Sequence, residues 1–336
     1  MNTGMSKQLD IPALARGVQA SDRRSLAQAI TLVESGRADH RADALALLDL
    51  LGTEKQALRI GLSGTPGVGK STFIESFGLM LTGMGKRLAV LAVDPSSARS
   101  GGSILGDKTR MDHLARDPNA FIRPSPSQTQ LGGVARRSRE AVALCEAAGF
   151  DIVLIETVGV GQSETVVAQM ADLFILLLAP AGGDELQGVK RGIMEMADII
   201  LVNKADGDLK PQATRTCADY AGALRLMRKR AQDPDGFPKA LTISALEAEG
   251  LHNAWQQMTD LSEWRRENGI WDSTRRDQAR YWFQEEVRNG LLQLLLDDPN
   301  LAMRMDAAQD DVSNGRKTPA TAAADVLGPL QDLLKP

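Results

Sequence analysis

Gly64-Thr65-Pro66-Gly67-Val68-Gly69-Lys70-Ser71 constrains this chain more than any other stretch. It satisfies the phosphate-binding pattern G-x-x-x-x-G-K-[ST] at each fixed position, and that pattern needs a strand before it and a helix after it. Both are legible. Arg59-Ile60-Gly61-Leu62-Ser63 reads as a short buried strand, and Ser71-Thr72-Phe73-Ile74-Glu75-Ser76-Phe77 opens a helix. The three glycines let the backbone turn tightly and bring its N–H groups close to phosphate oxygens. Thr65, Pro66, Val68 and Thr72 complete the expected cradle. Lys70 reaches the β/γ-phosphates as a point charge, and Ser71 can hold Mg²⁺. The helix N-terminus adds positive potential. A Gly-rich turn with no ligand is the bland alternative, and the strand–loop–helix setting argues against it.

A second motif selects the base. Ile199-Ile200-Leu201-Val202 is an apolar, β-branched run that ends in Asn203-Lys204-Ala205-Asp206. This N-K-x-D pattern is the guanine-reading motif of GTPases. A carboxylate at Asp206 can accept from both N1–H and the exocyclic N2–H₂ of guanine, a donor pair adenine lacks. A site built on buried hydrogen bonds rejects the wrong base by roughly 10⁴-fold or more. Lys204 would lay its alkyl stem over the purine. As a lone tetrapeptide the motif can also be read as a strand end opening a turn. Here it follows the phosphate loop by about 135 residues and directly follows a strand. Ser244-Ala245-Leu246, after the strand Ala240-Leu241-Thr242-Ile243, resembles the guanine-contacting S-A-[LK] element.

The third signal is Asp151-Ile152-Val153-Leu154-Ile155-Glu156-Thr157-Val158-Gly159, an apolar run into an acid with Gly three residues on. GTPases usually place D-x-x-G here. Glu156 can still serve Mg²⁺, through a water, and the Gly159 N–H can meet the γ-phosphate. Val160 follows Gly159, so no water-orienting Gln stands at that position, and Gln162 lies further on.

Gly85-Lys86-Arg87-Leu88-Ala89-Val90-Leu91-Ala92-Val93-Asp94-Pro95-Ser96-Ser97 resembles the SIMIBI class of P-loop proteins, which includes the signal-recognition-particle, MinD and BioD types. In that class the strand beside the P-loop strand ends in a catalytic-site Asp. Three further segments narrow the resemblance: Glu156 to Glu164, Gly106-Asp107-Lys108-Thr109-Arg110-Met111, and Gly183-Asp184-Glu185-Leu186-Gln187-Gly188. Together they resemble the methylmalonyl-CoA mutase-associated GTPases of the MeaB type, also called ArgK or LAO/AO transport ATPases. The likeness runs over roughly residues 10 to 300. It implies Mg²⁺-dependent GTP hydrolysis, a homodimer, and a partner that is an adenosylcobalamin-dependent acyl-CoA mutase. It also implies a switch segment with Asp107 near the metal and Arg110 near the nucleotide.

Composition fits a soluble cytoplasmic enzyme. The chain has 336 residues, 43% of them hydrophobic, enough for one large or two modest domains. A net charge of −4 gives no footprint for nucleic acid. Cys145 and Cys217 stand far apart, and His40, His113 and His252 are isolated, so neither a disulfide framework nor a zinc site is indicated. No run of about 18 apolar residues points to a membrane span, and the first residues lack the apolar core of a signal peptide.

The expected fold class is α/β: a P-loop NTPase with a mostly parallel sheet covered by helices on both faces, plus helical extensions at both ends. Continuous apolar runs, rather than alternation, imply strands buried on both faces. Candidate strands are 58–63, 88–94, 151–156, 173–179, 198–202 and 240–243, with 121–123 as an extra. The expected organisation is an N-terminal helical extension over 1–55 and a GTPase domain over 56–260. A helical dimerisation arm over 261–305 and a flexible tail with a weak helix over 306–336 follow. Ser21 is the expected cap of a helix carrying Leu26, Ile30 and Val33 on one face. Phe283, Val287, Leu291 and Leu294 form a stripe that reads as core or as dimer contact.

The expected catalytic set is Lys70, Asp94, Asp107, Arg110 and Glu156, with Ser71, Asp94, Asp107 and Glu156 serving the metal. Asp94 ends a strand, where α/β sheets hold ligands; it is read as a contact to Mg²⁺ or the nucleophile, or as a turn cap before Pro95. Asp184, Glu185, Lys190 and Arg191 read equally as a helix start or as a third switch that meets a partner. Two other functions remain in view. A metallochaperone GTPase would want His or Cys ligands, which the chain lacks as a cluster. A transport-associated ATPase or kinase conflicts with Asp206.

Overall fold

The computed structural model describes residues 9–93, 111–124, 131–157, 163–180, 191–227, 230 and 232–333. The backbone divides into a unit ending at Arg276 and one beginning at Asp277, inside a single long helix.

Among the described residues, seven parallel strands build the first unit's sheet: β1 (Leu58–Ser63), β2 (Leu88–Val93), β3 (Ala120–Arg123), β4 (Ile152–Thr157), β5 (Leu173–Leu178), β6 (Ile199–Val202) and β7 (Lys239–Thr242). Their spatial order is β3-β2-β4-β1-β5-β6-β7. All seven expected strands are present, and the parallel class is as read. β1, β2 and β4 to β6 are almost wholly buried because helices cover both faces of the sheet. One expectation is corrected. The strand leading to Asp94 does not lie beside the phosphate-loop strand; β4 sits between them, pairing Leu62 with Glu156 on one side and Ala92 with Glu156 on the other.

The N-terminal helices α1 (Ile11–Gln19), α2 (Arg23–Glu34) and α3 (Ala38–Leu51) pack on one another and on α6 (Leu131–Ala147). Helix α4 (Lys70–Gly83) follows the phosphate loop, and α5 (Asp112–Arg116) packs against it. The cap of α2 is Asp22, which accepts from Ser25 N at 2.8 Å, and not Ser21. Ser21 takes a left-handed backbone, φ 64°, and its hydroxyl donates to Ala148 O at 2.7 Å while accepting from Arg87. A tertiary partner has claimed the side chain that local chemistry would assign to the cap.

Helices α7 (Ser163–Ala168), α8 (Arg191–Met196), α9 (Lys210–Leu226) and α10 (Leu251–Glu267) complete the covering layers. Phe73 stacks on Phe77 at 5.0 Å, and Phe77 meets Trp255 of α10 edge-on at 6.0 Å. The amino edge of the sheet follows one repeated device. The aspartate just before a strand accepts the backbone N–H of a neighbouring segment: Asp151 from Arg87 (2.7 Å), Asp172 from Arg59 (2.8 Å) and Asp198 from Phe174 (2.7 Å).

Arginines from the last helices of this unit neutralise two of those carboxylates. Arg265 of α10 donates to Asp198, to Asp233 and to the Asp172 carbonyl, at 2.6, 2.6 and 2.7 Å. Burial works to lower the Arg265 pKa; Asp198 and then Asp233 outweigh it, so the net shift is upward. Arg275 grips Asp172 through two bonds of 2.9 and 2.6 Å, and its guanidinium lies 4.4 Å from the ring centre of Trp271. Replacing Arg265 with Ala leaves Arg230, among the described residues, against two buried carboxylates. The expected loss is about 3 kcal/mol, read from the urea midpoint at unchanged m-value.

Helix α11 (Ile270–Asp297) runs from the first unit into the second, and stops where Asp298-Pro299 was expected to stop it. Asp298 then caps α12 (Pro299–Ser313), accepting from Asn300 N and Leu301 N at 2.8 and 3.0 Å. Helix α13 (Pro319–Leu333) follows. Helix α13 falls where a weak helix is expected in the tail, and α12 carries the helical region past residue 305 into it. They line a cavity of about 490 Å³ with Leu301, Met305, Val312, Val326 and Leu327.

Candidate nucleotide site

The carboxyl ends of β1, β4 and β6 carry the site. The phosphate loop leaves β1 and enters α4 through Gly69, whose φ of 93° favours glycine. A Cβ there would lie 2.7 Å from Asn203 Nδ2, and one on Gly64 would strike the Leu177 carbonyl oxygen. Both glycines are fixed by close approach as well as by turning. Val68 is buried, whereas Thr65, Pro66, Gly67 and Thr72 are exposed at the mouth. Lys70 donates to the Gly64 carbonyl, so its ammonium lies folded back over the turn. Ser71 sits half-buried one residue into the helix.

Asn203 ties three segments together. Its Nδ2 donates to Val68 O at 2.9 Å, and its Oδ1 accepts from Ala245 N at 2.9 Å. The end of β6, the phosphate loop and the 244–246 loop are thus held by one buried amide. Lys204 takes a left-handed backbone, φ 58°, uncommon for lysine and of the kind found at functional sites. Its Nζ donates to Gly67 O at 2.7 Å, which lays the stem across the loop opening. Ser244 donates to Asp206 Oδ2 and accepts from Glu247 N at 3.0 Å. Leu246 is 77% exposed at the loop tip. Glu156 is buried at the end of β4, beside β1, and the neighbouring Thr157 hydroxyl donates to Ser63 at 3.1 Å.

The structure therefore brings together Gly64 to Thr72, Glu156, Asn203, Lys204, Asp206, Ser244, Ala245 and Leu246 around one end of the sheet. Asp94, Asp107, Arg110 and Gly159 lie outside the described residues, as do Gln162 and the 181–190 segment. Ser76 was not singled out from sequence. It belongs to no motif, and its one signal is a small hydroxyl between two buried phenylalanines of α4.

A parallel sheet with this loop entering a helix at the end of a central strand, and N-K-x-D after a neighbouring strand, defines a P-loop nucleotide-binding protein. Comparison with known proteins narrows the class. A family model described as "Methylmalonyl Co-A mutase-associated GTPase MeaB" matches residues 26–300. A "Putative GTPase" of Caulobacter vibrioides is 52% identical over 324 residues, spanning 96% of this chain and 98% of that protein. "Methylmalonic aciduria type A homolog, mitochondrial" of Mus musculus is 46% identical, over 94% of this chain and 79% of that protein. A solved structure, "Crystal structure of LAO/AO transport system kinase", is similar with a TM-score of 0.74 and 37% identity, covering 96% of this chain and 97% of that one. The chain belongs to the MeaB family of methylmalonyl-CoA mutase-associated GTPases. The protein is a GTPase.

Proposed function

We propose that this GTPase acts as a G-protein chaperone of an adenosylcobalamin-dependent acyl-CoA mutase, methylmalonyl-CoA mutase above all, gating cofactor loading and protecting the mutase. The observation that carries the reading is membership of a family whose name records the association, over residues 26–300. The mouse relative's name, linked to methylmalonic aciduria, supports the same client. A transport kinase, as the solved relative is named, is less well supported, because Asn203, Lys204, Asp206 and Ser244 gather as a guanine-reading end.

In this reading Lys70 and the loop amides hold the phosphates, Asp206 accepts from guanine, and Arg110 stabilises charge as the γ-phosphate departs. The donor set fits Mg²⁺, a hard cation that takes oxygen ligands. A serine hydroxyl at Ser71 and a buried carboxylate at Glu156 are oxygen donors at the same end of the sheet, with Asp94 and Asp107 as the further carboxylates of this reading. Bound there, the ion would offset charge between β- and γ-phosphates. A cytoplasmic setting accords with two unpaired cysteines.

Homodimerisation belongs to the same reading. Phe283, Val287, Leu291 and Leu294 are 69, 46, 58 and 70% exposed along one helix, a larger apolar payload than a solvated helix carries. Asp at both Val287 and Leu291 in the full-length chain is expected to turn a sedimenting dimer into a monomer that still binds GTP. A wild-type monomer overturns that part.

The client is tested by mixing the protein with purified methylmalonyl-CoA mutase. Co-elution that depends on the bound nucleotide, with faster GTP turnover, is expected. Absence of both effects with GTP and with GDP refutes the chaperone role.

A further inference from the structure

We infer that Ser76 is a positioning residue for base selection, pinning the Ala245–Leu246 peptide from the helix that follows the phosphate loop. The inference rests on the assignment of 203–206 and 244–246 to the base.

The Ser76 hydroxyl donates to Ala245 O at 2.6 Å, across 169 residues of sequence. Ala245 N donates to Asn203 Oδ1 at 2.9 Å, so the two backbone groups of a single residue are held from different elements, one from α4 and one from the end of β6. Asn203 also reaches Val68 O. Phosphate loop, α4, Ser76, Ala245 and Asn203 thereby close a ring of covalent and hydrogen bonds. Ser76 is itself well placed to hold its partner, because its neighbours Phe73 and Phe77 stack on each other and Phe77 bears on Trp255.

The pin sits where it has most effect. Ala245 is 2% exposed and Leu246 is 77% exposed, so packing stops at the very peptide that Ser76 holds. That peptide is planar and trans, so a carbonyl fixed on Ser76 sends the Leu246 N–H to the opposite side of the chain. Released, the peptide can turn over and exchange a donor for an acceptor. Guanine carries an acceptor oxygen at C6 and adenine a donor amine, so the exchange penalises guanine and not adenine.

Ser76→Ala removes the hydroxyl and leaves a good helix former in place. The net worth of one ordinary hydrogen bond corresponds to about a 3- to 10-fold change. The expected result is a 3- to 10-fold rise in Kd for GDP and in KM for GTP, with kcat at saturating GTP held within about twofold. Binding of inorganic pyrophosphate, which has no base, is expected to stay as in the wild type, and Ser76→Thr is expected to restore GDP affinity. Unchanged GDP affinity in Ser76→Ala overturns the inference. So does a parallel loss of pyrophosphate binding, which would locate the damage in the phosphate loop. A wild-type protein that binds ADP as tightly as GDP refutes the base assignment itself, a separate failure.

Discussion

Replacing Lys70 with Ala is expected to abolish GTP hydrolysis, slowing it on the order of 10³- to 10⁵-fold, the range that a cation placed on a transferring phosphoryl group supplies. Phosphoryl transfer asks little covalent chemistry of a protein, so positioning and charge carry the catalysis. Lys70 is the first residue of α4, and its stem is folded over the turn by its bond to Gly64. Ala keeps the helix and the turn while deleting the charge. Single-turnover phosphate release at saturating GTP is the measurement. Retention of hydrolysis within about tenfold of wild type would show that Lys70 does not face the phosphates.

The second large effect concerns the base. Asp206→Asn turns one acceptor oxygen into a donor amide. Guanine then faces donors with donors, and its preference is expected to fall by about 10⁴-fold, the scale on which unpaired buried polar groups discriminate. Xanthosine nucleotides, with a carbonyl at C2, gain in compensation. The Ser244 hydroxyl that holds Asp206 can still donate to the remaining amide oxygen, so the loop is expected to survive the change. Competition between GDP and XDP reads it directly. Unaltered selectivity would remove Asp206 from the base, and equal binding of ATP and GTP by the wild type would remove the whole motif.

Much of the fold was legible because parallel strands buried on both faces write themselves as unbroken apolar runs. β5, Leu-Phe-Ile-Leu-Leu-Leu, is the plainest case. The order of the strands was not legible. That β4 lies between β1 and β2 is set by crossovers between distant segments, and nothing in Leu88–Val93 itself records it. The cap at Ser21 failed for a related reason: Ala148 and Arg87, remote in sequence, claim its hydroxyl. The continuation of α12 past residue 305 leaves little trace in the sequence because alanine and aspartate dilute its apolar positions, so Met305 and Val312 stand out only once folded.

In the site the contrast is similar. Gly64 to Ser71 and Asn203 to Asp206 stand out in the sequence because each pattern is local. The bonds that fix their geometry, Asn203 to Val68 and Ser76 to Ala245, span 135 and 169 residues and leave no local trace.

The aspartates at the amino edge of the sheet also set an order of events during synthesis. A ribosome has delivered the phosphate loop, the guanine motif and the 244–246 loop by Leu246, so a nascent chain of that length already holds every nucleotide-reading motif named above. Asp198 and Asp172 still await the guanidinium groups of Arg265 and Arg275, which emerge nineteen and twenty-nine residues later. A nascent or prematurely terminated chain that stops in that interval holds those motifs and the Arg230 partner of Asp198, but not the Arg275 counter-charge of Asp172. The ion pair beneath β5 therefore closes only once Arg275 has been made.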